Sequence, residues 1–211
     1  MPNLIGGVLC LDFVNTVDPR HESGRREYLD DYAALVAWGV HAGAVQTSQG
    51  ERLREAAAGV PDEAERVLSR AIGLREALYP LFSRAPRGQP PRPDDLGVLQ
   101  AELPRALPHL RITWSPSGYA REWERGSPAL DQVLWPVAWS AAELLLQGPL
   151  ERISECPGQG TCGWLFLDLS KNASRRWCDM RVCGNRAKAR RHYARTLGPA
   201  NRSRSRAASA M

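Results

Sequence analysis

The chain has 211 residues, of which 43% are apolar, enough for one domain with a small appendage and a buried core. No apolar run approaches the ~18 residues of a membrane span, and the apolar segment Leu4–Val14 has no basic leader and contains Asp12, so we expect a cytoplasmic protein with no membrane partner. The charges that make up the net charge of +5 are unevenly distributed along the chain. Residues 1–170 contain 16 basic and 22 acidic residues, whereas residues 171–211 contain 12 basic residues and one acidic residue. This distribution predicts a polyanionic partner for the basic end.

The first patterned segment is Leu9–Thr16, where apolar residues alternate but helix and strand fit the spacing equally well. Cys10 has no cysteine near it in sequence, and we interpret it as a small buried hydrophobe. Asp12, Asn15 and Thr16 have two interpretations: they line a ligand pocket, or they hydrogen-bond nearby backbone and fix a loop. The second is favoured because short polar side chains readily bond local backbone groups.

Three helices are predicted next. An apolar stripe predicts a helix over about 29–43, opened by Asp30 and Asp31 near the positive end of its dipole. A weaker helix is predicted over about 49–57. A third helix begins at Pro61, and its core-facing residues recur at intervals of three and four: Val67, Leu68, Ala71, Ile72, Arg75, Leu78, Leu81 and Phe82.

A proline-rich loop and a hairpin follow. Proline fixes φ and removes backbone donors, so 85–94 is predicted to be a loop, and Asp94 is predicted to cap a short helix that runs to Leu107. Residues 109–114 and 119–123 are rich in aromatic and β-branched side chains and flank a Ser-Pro-Ser-Gly turn. This pattern predicts a β-hairpin.

The most apolar helix is predicted to begin at Ser127-Pro128, to kink at Pro136 and to end at Gly148. We expect it at the centre of the domain. The body, residues 1–148, is therefore predicted to be a helical domain with one β-hairpin. The chain has no phosphate-binding glycine loop, no dinucleotide glycine set and no H-E-x-x-H sequence, so no enzyme class is indicated.

Four of the five cysteines lie in two close pairs, Cys156 with Cys162 and Cys178 with Cys183. In a reducing compartment, paired cysteines indicate a metal more often than a disulfide. Thiolates are soft ligands suited to Zn²⁺, and four of them at about 2.3 Å complete a tetrahedral shell without a position for substrate. The pattern predicts one structural zinc ion and no catalytic residues. His192 is a less favoured ligand because four cysteines already complete the shell.

The predicted fold class is mainly α, with a small C-terminal zinc finger made of a short β-hairpin and a basic helix. We assign 149–198 to this finger. Gly158 and Gly160 are predicted to let the first cysteine pair form a tight knuckle. Backbone N–H groups of the knuckle would then face the thiolates and stabilise their charge.

The strand predicted after this knuckle puts Trp164 and Phe166 on one face and Leu165 and Leu167 on the other. One face is predicted to pack on the body and the other on the finger's own helix. That helix is predicted to begin near Cys183, and its dipole would lower the pKa of this thiol.

The residues after the last cysteine form a predicted helix loaded with cations, which is either solvated or in contact with phosphate. Contact with phosphate is favoured because further arginines precede the helix, and arginine can also bind guanine in the major groove. Residues 199–211 are of low complexity and are predicted to be a disordered basic tail that adds sequence-independent attraction. The predicted nucleic-acid contacts are Arg175, Arg176, Arg181, Asn185, Arg186, Lys188, Arg190, Arg191 and Arg195.

Two parts of the sequence resemble a known bacterial family. Cys183-Gly184-Asn185-Arg186, together with the preceding W-L-F-L-D and R-R-W-C, resembles the CGNR zinc finger. Leu9–Thr16, which reads L-C-L-D-F-V-N-T, resembles the opening of the ABATE domain that accompanies this finger. The resemblance covers nearly the whole chain. It implies a zinc-binding, DNA-binding protein whose suggested role is stress-induced transcription regulation.

The leading hypothesis is a zinc-dependent transcription regulator that binds duplex DNA and is not an enzyme. Its N-terminal domain would bind a signal or a partner, either a small molecule or a protein. A second hypothesis is an RNA- or ribosome-associated zinc module, because arginine-rich helices bind RNA equally well. A third is a protein-interaction adaptor whose finger binds protein.

Overall fold

The computed structural model describes residues 1–20, 24–158 and 162–196, and the fold is mainly helical, as predicted. The helices are α1 (Leu9–Val14), α2 (Tyr32–His41), α3 (Thr47–Ala58), α4 (Pro61–Arg84), α5 (Pro93–Ala106), α6 (Leu134–Gln147) and α7 (Asn185–Thr196). The strands of the described residues form three antiparallel two-stranded ribbons: β1 (Val17–Asp18) with β2 (Arg26–Glu27), β3 (Leu110–Ser115) with β4 (Gly118–Trp123), and β5 (Ile153–Glu155) with β6 (Leu165–Leu167). None of the described helices is both long and apolar enough to cross a membrane.

The segment that fitted helix and strand equally well is the helix α1. Its residues Cys10, Leu11, Phe13 and Val14 are all buried, so the core surrounds most of the helix and the apolar pattern has no single face. This explains why periodicity could not decide between the two structures. Cys10 is fully buried, as predicted, and its burial raises the pKa of the thiol to about 12.

The polar side chains at the end of α1 bind backbone rather than lining a pocket. Asp12 Oδ1 accepts a hydrogen bond of 2.7 Å from the Gly6 N–H, and Thr16 Oγ1 donates one of 2.8 Å to the Phe13 carbonyl. The partner of the Asn15 side chain is far away in the sequence. Its amide donates to the Leu165 carbonyl at 2.8 Å and accepts from the Leu165 N–H at 2.9 Å, which joins α1 to β6.

Replacing Asn15 by alanine should therefore destabilise the protein by about 2–4 kcal/mol, because it leaves both buried backbone groups of Leu165 without a partner. Urea unfolding followed by circular dichroism measures this loss. Asn3→Ala is the control, since Asn3 is exposed and should change the free energy of unfolding by less than about 0.5 kcal/mol. Equal effects of the two substitutions would contradict this account.

Helices α2 to α5 follow the predicted order, with one cap corrected. Asp31 caps α2, since its carboxylate accepts a hydrogen bond of 2.6 Å from the Ala34 N–H. The predicted cap at Asp94 is wrong. Helix α5 begins at Pro93, before Asp94, so Asp94 lies within the first turn, where its charge faces the positive end of the helix dipole.

The start of α6 also differs from the prediction. A 3-10 turn, Leu130–Val133, separates Ser127 from the α-helix, which begins at Leu134. Pro136 therefore lies in the first turn of α6. The N–H groups of a first turn have no partner within the helix, so this proline removes no hydrogen bond and the reason for the predicted kink disappears. Much of α6 is buried, as expected for a central helix.

The main core combines α1, α2, α4 and α6 with the β5–β6 ribbon. Ile153, Leu165 and Leu167 belong to the same buried cluster as the helices of the body. Apolar residues on both sides of the division predicted at residue 148 therefore share one core. The division between 1–148 and 149–198 stays a prediction, and the predicted tail 199–211 lies outside the described residues.

Candidate metal centre and basic helix

The four cysteines of the two sequence pairs meet in space. Their sulfur atoms all lie within 4.8 Å of one another, and all four residues are buried: Cys156, Cys162, Cys178 and Cys183. The sulfur of Cys178 is 3.7 Å from that of Cys162 and 3.6 Å from that of Cys183. Four thiolates at about 2.3 Å from a tetrahedral zinc ion lie about 3.8 Å apart, so this arrangement fits Zn²⁺.

The pKa values of the four clustered thiols depend on their hydrogen bonds, their burial and their charges. Hydrogen bonds from the thiols of Cys162 and Cys178 lower the pKa of Cys156. The pKa values of Cys162 and Cys178 are raised, chiefly because their protons are held in hydrogen bonds to neighbouring sulfurs. The pKa of Cys183, predicted to be lowered by the helix dipole, is instead raised by burial and by the charge of Cys156. A bound zinc ion supplies the positive charge that four thiolates together require.

The knuckle between the first two cysteines depends on glycine. Gly158 has φ of +30°, and a Cβ built on it would lie 1.9 Å from the Cβ of Cys162, so no other residue fits without a shift of the backbone. Its backbone hydrogen-bonds the sulfur of Cys156, as predicted for a knuckle that stabilises thiolate charge. Gly160, the other glycine of this prediction, lies outside the described residues.

The two faces of β6 are both buried, against different partners. Leu165 and Leu167 pack into the main core, so one face meets the body as predicted. Trp164 and Phe166 pack on the four cysteines, together with Tyr28 and other partly buried side chains. The second face therefore contacts the metal centre itself rather than the finger's own helix.

The β1–β2 ribbon of the body is fixed against the metal centre. The indole N–H of Trp164 donates a hydrogen bond of 2.8 Å to the Val17 carbonyl, and the Arg20 N–H donates one of 2.9 Å to the Cys162 carbonyl. Sequence reasoning missed both contacts, because each joins residues more than 140 positions apart. The abundance of tryptophan was the one signal available, since a buried indole N–H needs an acceptor.

Arg175 was predicted to contact nucleic acid, but in the structure its guanidinium contacts other groups of the protein. The guanidinium donates to the carbonyls of Ile5, Trp177 and Cys178 and lies 4.3 Å from the centre of the Phe166 ring. These contacts join the finger to the N-terminal segment. We therefore assign Arg175 a role in holding the finger together, and its predicted contact with nucleic acid stays a prediction.

The basic helix begins immediately after the last cysteine. A wide helical turn, Met180–Gly184, contains Cys183 and is capped by Asp179, whose carboxylate accepts a hydrogen bond of 2.7 Å from the Arg181 N–H. Helix α7 then starts at Asn185. The remaining predicted contact residues are all exposed: Arg176, Arg181, Asn185, Arg186, Lys188, Arg190, Arg191 and Arg195.

Two family models match the chain along almost its whole length. The model described as "CGNR zinc finger" matches residues 152–196. The ABATE model, described as "Putative stress-induced transcription regulator", matches residues 7–148, well over half of the chain. The chain belongs to the ABATE family. No match was found among curated proteins.

The residues on which the resemblance to the ABATE and CGNR sequences rests have structural roles in this ABATE protein. Asn15, in the N-terminal motif Leu9–Thr16, hydrogen-bonds both backbone groups of Leu165 in the finger. In the CGNR motif, Cys183 is a candidate zinc ligand. A Cβ atom added to Gly184 would lie 2.4 Å from the sulfur of Met180. The Asn185 amide donates to the Arg181 carbonyl at 3.1 Å and closes the turn before α7. The CGNR finger of this chain thus fits one structural zinc ion.

Proposed function

We propose that this ABATE protein is a transcription regulator that binds duplex DNA, with one zinc ion holding the basic helix of its finger in place. The observation that carries the proposal is the attachment of an exposed cationic helix directly to the four-cysteine centre. Cys183 is both a candidate ligand and part of the turn that leads into α7. Bound zinc would therefore fix the start of the helix relative to the body.

The charge of the helix is suited to phosphate. Arg186 and Arg190 are one helical turn apart and share a face, and both line the same cleft. Arg191 and Arg195 repeat this spacing on a neighbouring face. Each cation placed on a phosphate releases counterions, so we expect binding that weakens steeply as salt concentration rises.

Zinc in this proposal is structural and the protein is not an enzyme, because four cysteines complete the metal shell without a position for substrate. We place its action in the cytoplasm, where reduced thiols remain available to metal. The body would receive the signal, either as a small molecule or as a protein partner.

Competition between nucleic acids tests the choice of partner. The zinc-loaded chain is first bound to a labelled duplex DNA, and unlabelled duplex DNA or structured RNA of equal length is then added at one salt concentration. Displacement by DNA at lower concentration than by RNA supports the proposal. Displacement by RNA at lower concentration would favour an RNA-associated zinc module. Absence of any binding to either, with zinc present, would favour a protein-interaction adaptor.

A further inference from the structure

A cleft of about 620 Å³ lies between the N-terminal body and the finger. On the finger side its wall includes Arg186 and Arg190 of α7. On the body side it includes Asp18 of β1 and Tyr28, which follows β2. The basic helix of the finger and the β1–β2 ribbon of the body therefore border the same space.

The ribbon also carries an exposed arginine, Arg26, which stacks on a residue of the cleft wall. The guanidinium of Arg26 lies over the ring of Tyr28, 4.8 Å from the ring centre. Tyr28 in turn packs on the cysteine cluster. Arg26 is exposed, so stacking on the tyrosine orients its guanidinium without removing it from solvent.

The position of Arg26 relative to the finger is fixed by the surrounding contacts. Trp164 and Cys162 of the finger bind the backbone of the ribbon segment at Val17 and Arg20, as described above. On the other side, the neighbouring Glu27 accepts a hydrogen bond of 2.7 Å from the buried Arg75 of α4. Arg26 therefore lies on β2, which pairs with the strand β1 that the finger contacts and is bound to the core through Glu27.

One acidic residue interacts with both groups of cations. Asp18 is the cross-strand partner of Arg26, and it also interacts electrostatically with Arg186. Its negative charge offsets part of the positive charge of the cleft. Removing that charge should therefore act in the opposite direction to removing Arg26.

We infer that the ABATE body takes part in DNA contact, with Arg26 forming one phosphate-binding surface with Arg186 and Arg190 across the cleft. This inference rests on the proposed function and extends it. The body then sets the orientation of the finger on DNA as well as supporting its fold. Phosphate is the partner because all three side chains are cations, and arginine binds phosphate oxygens in a bidentate manner.

The test measures binding of full-length, zinc-loaded protein to one duplex DNA across a salt series. Arg26→Ala should lower the slope of log K against log salt by about 0.9, the contribution of one phosphate, and weaken binding roughly tenfold at low salt. Arg54→Ala is the matched control, since Arg54 is an exposed arginine on α3, and it should leave both quantities unchanged. Zinc content should stay the same in both variants.

Asp18→Asn provides a test of opposite sign. It should strengthen binding about twofold to fivefold and leave the slope unchanged, because it removes a repulsive charge and adds no phosphate contact. A merely structural role of the ribbon would make both Arg26→Ala and Asp18→Asn weaken binding, and that result would overturn the inference.

The outcome for α7 separates this inference from the proposed function. If Arg190→Ala with Arg191→Ala lowers the salt slope but Arg26→Ala matches its control, the body makes no phosphate contact and only the inference fails. If the wild-type protein binds no duplex DNA, the proposed function fails and the inference fails with it.

Discussion

A Cys178→Ser variant is expected to lose its zinc, from one ion per chain to nearly none. The sulfur of Cys178 lies next to those of Cys162 and Cys183, so its loss leaves three thiolates around a neutral, weakly binding hydroxyl. Structural zinc contributes about 10–16 kcal/mol in isolated finger peptides. We expect the turn before α7 and the start of that helix to unfold, while the helices of 1–148 stay folded because their own core is extensive.

Metal analysis and circular dichroism of the purified variant measure these two results. Cys10→Ala is the matched control, because Cys10 is the cysteine outside the cluster and its loss should leave one zinc per chain. It should cost stability only through the small cavity left in the core. Zinc retained by Cys178→Ser would contradict the four-cysteine assignment. Helical signal lost throughout the chain would show that the body cannot fold without the finger.

Replacing Arg190 and Arg191 together by alanine is expected to preserve zinc and to weaken binding to duplex DNA by one to two orders of magnitude, roughly the loss of two charge-assisted contacts. The slope of log K against log salt should fall by about 1.8, or 0.9 for each phosphate contact. Alanine favours helix, so α7 itself should persist. Fluorescence anisotropy with labelled DNA across a salt series gives both quantities.

The control for this pair is Arg52→Ala with Arg54→Ala, two exposed arginines on α3 of the body. It removes the same net charge from a surface that the proposal does not place on DNA. An unchanged slope in the α7 variant, or an equal fall in the α3 control, would remove the basic helix from the binding surface. The second result would leave general electrostatic attraction as the remaining explanation.

Features decided by local chemistry could be predicted from sequence. The spacing of the cysteines predicted a cluster that the fold forms, and the Ser-Pro-Ser-Gly turn predicted the β3–β4 hairpin. The stripe of α4 predicted a buried face that includes Val67 and Phe82. Each of these depends on residues close together in sequence, where turn chemistry, periodicity and ligand type act directly.

Features decided by distant contacts could not be predicted in this way. Asn15 looked like a residue that fixes a local loop, yet its partner is Leu165 in the finger. Arg175 looked like one cation among many, yet its guanidinium binds three backbone carbonyls and an aromatic face inside the protein. The composition of a basic segment reports its charge, whereas the use of each arginine depends on which groups the fold brings near it.

The most direct test of the account compares zinc-loaded and zinc-stripped protein for duplex DNA binding over a salt series, with zinc content measured on the same samples. We predict one zinc per chain in the loaded sample, salt-steep binding, and a large loss of affinity on stripping that is recovered when zinc is restored. One zinc per chain without DNA binding, or DNA binding that is the same with and without zinc, would contradict the claim that the metal centre holds the basic helix for contact with DNA.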